Sequence, residues 1–263
     1  SLWGNNSFVN KEIIFAVAKT EDNTFEKQNY PIGIEGGQSG NCPTQTLVDQ
    51  YEYQSGPYAG RTFGEMHPGT IDLTSGAPYN GLDPRFGMTI VKNGDLWPLN
   101  SNQQMPIQTY EGGFNGSPKY NATRTGYYLK KYVDGNTDLT PNVNSSFRHA
   151  WIVMRLAEFY LNYAECIYHI TGDADSKGDY GMSANEAINV VRDRSDVMMP
   201  HFTGNPTDFL VRYERERLIE FAFEDQRFWD VRRWKKGKTY FKTIEGAELV
   251  KQGNGCLLYT SPS

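Results

Sequence analysis

The chain has little of what most catalytic and metal centres are made from. Of its 263 residues, three are cysteine (Cys42, Cys166 and Cys256) and four are histidine. The cysteines share no ligand spacing, and His67, His149, His169 and His201 are scattered, with no HExxH. No metal site, cofactor or disulfide framework is therefore expected, and Cys166, inside an apolar helical pattern, reads as a small core residue. There is no GxSxG elbow and no phosphate-cradling loop. No apolar run is long enough to cross a bilayer, and Ser1-Leu2-Trp3-Gly4-Asn5-Asn6 lacks the basic start and apolar stretch of a signal peptide. Positive charge is not in excess either. The 26 Lys and Arg against 31 Asp and Glu leave a net −5, which argues against nucleic acid or an anionic membrane face as partner.

Aromatics are abundant, with 17 Tyr and 14 Phe, while the 26 Gly and 13 Pro crowd into the first 145 residues. That distribution divides the chain in two. Residues 1–147 are expected to be loop-rich, with strands at Glu12 to Ala18, Arg85 to Val91 and Gly126 to Val133. A short helix is expected at Thr44 to Tyr51, with Thr44 as its N-cap. The intervening stretches, Gln54 to Gly81 and Gly94 to Thr125, are too long and too rich in Gly, Pro and Asn for simple connections, and long ordered loops are usually functional. Residues 148–237 are expected to be helical. Met154, Ala157, Leu161, Ala164 and Tyr168 recur at steps of three and four and stop near Thr171-Gly172. Ser183 and Glu186 form the signature of a capping box opening the next helix.

Arg212 to Lys236, RYERERLIEFAFEDQRFWDVRRWKK, interleaves acids and bases at helical spacing with large rings. The spacing predicts pairing of Glu216 with Arg212, of Glu220 with Arg217, and of Asp230 with Arg227 and Arg233. So many apolar residues lie between them that some of these charges must be buried. Arginine suits that role, because its flat fork pairs two carboxylate oxygens and stacks on rings. The cluster has two readings, a catalytic carboxylate or anion site, and an internal ion-pair network that locks helix packing. The second is the simpler.

ERERLIEFAFEDQRFWDVRRWK, preceded by RLAEFYLNYAEC (Arg155 to Cys166) and AINVVRDRS (Ala187 to Ser195), resembles the C-terminal portion of the SusD/RagB family. NKEIIFAV (from Asn10), PTQTLVDQYEY (from Pro43), LDPRF (Leu82 to Phe86) and TRTGYYLKKYVD (from Thr123) follow the family order. The resemblance implies a mainly α fold, a tetratricopeptide-like helical scaffold with short strands and long loops packed on it. It assigns residues 1–255 to the family's C-terminal region and implies a fragment whose lipid signal and first helical repeats precede Ser1. The ending CLLYTSPS matches nothing in the family pattern and resembles translated sequencing-adaptor read-through, so 256–263 are expected to be a non-native tail.

By the same resemblance the protein is a lipid-anchored receptor on the outer face of the outer membrane. It would capture an oligosaccharide without cleaving it and pass it to a SusC-like TonB-dependent transporter, covering the barrel like a hinged lid. Some relatives serve peptide importers. A competing class is a glycoside hydrolase acting through an acid pair, for which Glu220 and Glu224 are the first candidates. A helical scaffold for other proteins is a third option. For a glycan receptor, the candidates are loop rings beside polar side chains: Trp97 near Asn93 and Asn100, Tyr79 with Asn80, Tyr58, and Tyr110 near Gln108. Sugar rings present C–H faces that stack on such rings, and their hydroxyls pair with the amides. Trp97 stands first among them, with core packing as its alternative role.

Overall fold

The structure, a computed structural model, describes residues 10–69, 71–72, 77–99, 103–252 and, in backbone, 257–260. Ser1 to Asn6, Asn100 and Cys256 lie outside the described residues. Helix is the predominant regular structure. Four short helices, α1 (Thr24–Asn29), α2 (Gln45–Val48), α3 (Phe63–Met66) and α4 (Pro84–Thr89), punctuate the loop-rich half. The helical half holds α5 (Leu156–Thr171), α6 (Ala184–Arg192), α7 (Phe209–Glu220), α8 (Gln226–Arg233) and α9 (Gly237–Tyr240).

The strands are brief and form separate small sheets. The first, β1 (Ile13–Ala18), falls within the run Glu12 to Ala18 expected as a strand. A further five precede the helical half: β2 (Ile71–Asp72), β3 (Ile90–Val91), β4 (Leu96–Trp97), β5 (Met105–Pro106) and β6 (Tyr128–Leu129). Next comes β7 (Ala150–Arg155), antiparallel to β1, with Val17 opposite Trp151 and Ala18 opposite Ala150. Pairs β3–β6 and β4–β5 are each antiparallel. The last two strands, β8 (Glu248–Lys251) and β9 (Leu257–Thr260), join β2 in a three-stranded sheet with β9 in the middle.

Four expectations need correction here. Arg85 to Val91 is not a strand but α4 followed by the two-residue β3. Asp83 caps it by accepting a hydrogen bond from the Arg85 amide at 2.9 Å, and Pro84 pre-sets the first helical turn. Only Tyr128 and Leu129 of the run Gly126 to Val133 form a strand. Helix does not begin at Arg148, because the β-branched and aromatic run from Ala150 pairs with β1 before α5 starts. Within α5, Cys166 faces outward and is exposed, not a core residue.

Other local signals hold. Thr44 accepts from the Leu47 amide at 3.2 Å and opens α2. Ser183 and Glu186 exchange both hydrogen bonds of a capping box ahead of α6. Gly172 adopts φ 68° and closes α5, a left-handed position that costs glycine nothing. Helices α5 and α6 pack through Ala157, Leu161 and Ala164 against Ala184, Ala187 and Ile188, small residues that allow close approach.

Three apolar clusters form the core. One lies in the helical half around Leu161, Phe202, Phe209 and Tyr213. A second, around Tyr51, Phe63, Phe86 and Ile90, joins the loop-rich half to Ile219 and Ala222. The third gathers Tyr30, Val91, Trp97, Ile107 and Tyr128. The triplet Phe221-Ala222-Phe223, just past α7, touches all three.

Candidate functional site

The acid–base lattice is built first, because it decides what the carboxylates can do. Helix α7 ends at Glu220, and Phe223 and Asp225 take left-handed backbone (φ 61° each) before α8 begins. Glu216, Glu220 and Glu224 therefore do not share one continuous helix face, and the partners predicted from spacing are mostly replaced by distant ones. Arg85 reaches Glu216 at 2.6 Å and Glu220 at 2.9 Å while its other edge grips Asp83. Arg155, 2 % exposed, pairs with Glu220 at 2.6 Å, with Glu224 at 2.8 Å and with Glu12 at 2.6 Å. Arg192 bridges Glu216 and Glu52, and Arg194 also bonds Glu220. Lys131 meets Glu224 at 2.6 Å. Asp230 keeps its predicted partner Arg233 at 3.0 Å, but its second is Arg217 at 2.7 Å; Arg227 instead stacks 4.1 Å from the Tyr240 ring. Rings complete the lattice, with Arg155 and Arg217 over Phe221 at 4.7 and 5.1 Å.

This wiring fixes the protonation state. Burial alone would raise the Glu220 carboxyl, yet Arg155, Arg194 and Arg85 hold it well below the usual carboxylate range. Glu216 is lowered against the same opposing burial by Arg85 and Arg192. A glycosidase acid needs the opposite, a carboxyl kept protonated near neutral pH. The geometry supports an internal network that locks packing.

The loop rings are placed as follows. Trp97 corrects the leading expectation, that it stands free in a loop. It lies in β4, 2 % exposed, edge-on to Tyr30 at 6.1 Å. Its indole covers Gly135 so closely that a Cβ there would come within 2.6 Å of the ring. Tyr79 is clamped between Phe63 and Phe86, stacked at 5.3 Å on each, so both faces are taken, and its hydroxyl lies 3.0 Å from that of Tyr127. Neither ring has a free face for a sugar. Asn80 is exposed, and Tyr58 is 39 % exposed, edge-on to Tyr53 at 5.4 Å. Tyr53 bridges Ala59 and Leu82, which brings the Tyr58 and Asn80 segments side by side. His67 holds that corner through a 2.7 Å hydrogen bond with the Tyr53 hydroxyl. Tyr110 is half-buried, donates its hydroxyl to Gln108 Oε1 at 3.0 Å, and lies under Lys251 at 5.4 Å.

Sequence reading passed over an open trough on the described surface. A trough of about 1170 Å³ runs between segment 38–42, segment 117–126 and the start of β8. Tyr120 stands on its rim, 87 % exposed. The sequence signal was present, a tyrosine between Lys119 and Asn121 in a Gly- and Pro-rich loop, but the nearby Trp97 outweighed it. Among the described residues no group of three or more His, Cys, Asp or Glu could hold a metal ion, and no helix is long and apolar enough to cross a membrane.

Comparison with known proteins gives this arrangement a family. The chain belongs to the SusD family, whose model matches residues 11–255. It is similar to a SusD-like protein from Bacteroides fragilis, at 29% identity and a TM-score of 0.77, over 100% of this chain and 50% of that one. A SusD-like carbohydrate binding protein from the same species matches at 25% identity and TM-score 0.67, over 97% of this chain and 50% of that one. A surface glycan-binding protein A from Bacteroides fluxus, at 19% identity and TM-score 0.53 over 92% and 44%, shares the fold. The chain thus spans about half the length of these solved structures. No curated protein matches it.

Proposed function

We propose that the protein is a cell-surface receptor that captures an oligosaccharide and delivers it, uncleaved, to a TonB-dependent outer-membrane transporter, held at the membrane by a lipid anchor. The observation that carries this reading is the family match over 11–255, joined by likeness to a relative described as carbohydrate binding. The state of the acids supports binding over hydrolysis. Glu220 and Glu224, the pair a glycosidase reading would use, are tied to arginines and a lysine inside the fold. Loops rich in rings and amides, set on a rigid scaffold, are what a binding surface for hydroxylated rings requires.

Native affinity electrophoresis of the full-length protein in gels containing single polysaccharides tests capture. Retardation by at least one, with no reducing ends released from it on incubation, is the expected result. Free migration in every gel would turn the reading to peptide capture, and reducing ends that disappear in Glu220→Gln would turn it to a hydrolase. Delivery is tested separately, by co-purification with a TonB-dependent barrel from solubilised outer membrane.

A further inference from the structure

The trough beside loop 117–126 has features that packing does not explain. Tyr120, at its rim, leaves nearly all of its ring in water. Thr109 lies at its inner wall, 6 % exposed, and its hydroxyl has no hydrogen-bond partner among the described residues. Such a hydroxyl, one of several buried polar atoms left open among the described residues, can take a partner from the trough. Gln28, Gln38 and Asn121 also line it, all exposed, and their side-chain amides make no hydrogen bond within the described residues.

The loop carrying Tyr120 is held firmly at its base. The Gly112 amide donates to Ser117 O at 2.6 Å, and Asn115 both accepts from the Gln108 amide at 3.0 Å and donates to Ile32 O at 2.7 Å. The Tyr128 hydroxyl donates to Asn115 O and accepts from the Thr123 amide at 3.2 Å. A tight turn, closed by the Ala122 amide to Lys119 O at 3.1 Å, then lifts the ring outward. A ring displayed on a pinned loop loses little freedom when something stacks on it.

We propose that this trough is a glycan subsite, with Tyr120 as the stacking ring, the free amides as partners for sugar hydroxyls, and the Thr109 hydroxyl as the inner anchor. The proposal rests on the glycan-capture reading and adds the place and the class of sugar. Charge points to an uncharged sugar. Arg124 and Lys119 on the loop are balanced by Glu111 and Glu248 across the opening, and Lys119 is already held 3.9 Å over the Phe114 ring. The volume exceeds that of a typical small-molecule pocket, roughly 300–1000 Å³, and so suits a chain of sugar units.

The test is affinity electrophoresis of full-length wild type, Tyr120→Ala, Tyr120→Phe and Thr109→Val in gels containing amylopectin, laminarin, xyloglucan or polygalacturonate. Unchanged thermal unfolding of Tyr120→Ala checks its fold, and the ring's exposure makes that the expected result. Retardation of wild type by a neutral polysaccharide, weakened about tenfold in Tyr120→Ala, kept in Tyr120→Phe and reduced in Thr109→Val, is expected. Equal retardation of wild type and Tyr120→Ala overturns the subsite while leaving glycan capture standing. Retardation by polygalacturonate alone overturns the assignment to an uncharged sugar. No retardation of wild type by any of the four overturns the subsite and removes the support for glycan capture together.

Discussion

At the residue scale, the lattice and the loop rings make opposite demands on a substitution. Glu220 accepts from three guanidinium groups in a buried setting. Glu220→Gln leaves those cations short of a negative partner and should cost about 3–5 kcal/mol, read as a lowered urea midpoint. A midpoint within experimental error of wild type would show the network to be dispensable. The same depressed carboxyls set an acid limit. Glu216 and Glu220 titrate lower in the folded chain than in the unfolded one. Their contribution is therefore complete above about pH 4.3 and is lost as pH falls below it towards the folded values. Urea midpoints should hold between pH 5 and 7 and drop steeply towards pH 3, less steeply in Glu220→Gln. Trp97→Ala empties a core site and should destabilise by about 3–5 kcal/mol while leaving polysaccharide retardation of the folded fraction unchanged. Sequence alone showed that rings and amides crowd the loops. Which ring faces water depends on distant neighbours: Gly135 lies 38 positions after Trp97 and admits its indole because it has no side chain.

At the scale of elements, legibility follows the range of the forces involved. Caps act within one turn, and the starts of α2 and α6 were readable from Thr44 and from Ser183 with Glu186. Removing one such cap, by Ser183→Ala, should lower stability by about 1 kcal/mol, measured by thermal unfolding; no shift would mean that tertiary packing alone sets the start of α6. The start of α4 was equally local, an aspartate followed by proline, but the apolar run behind it imitated a strand. Spacing along 212–236 announced ion pairs correctly in kind. It misjudged the partners, because the break after Glu220 turns Glu224 towards Lys131 and Arg155, and residues such as Arg85 arrive from more than a hundred positions away. Periodicity carries no information about partners supplied by another part of the chain.

At the scale of the whole molecule, the two halves are packed together through shared clusters. Phe221 packs in the helical core, Ala222 in the core shared with the loops, and Phe223 against the third. Arg85 and Arg155 add charged bridges between the halves. Far-UV circular dichroism and tryptophan fluorescence should therefore report one coincident urea transition; two separated steps would show that the halves unfold independently. Anchorage of this kind leaves the segment from Gly112 to Thr125 free to drift. Its base is held by backbone and a few buried polar atoms, while the Tyr120 ring at its crest stands in water. Like a bit in a drill chuck, that crest can be exchanged for another of different chemistry without disturbing what grips it.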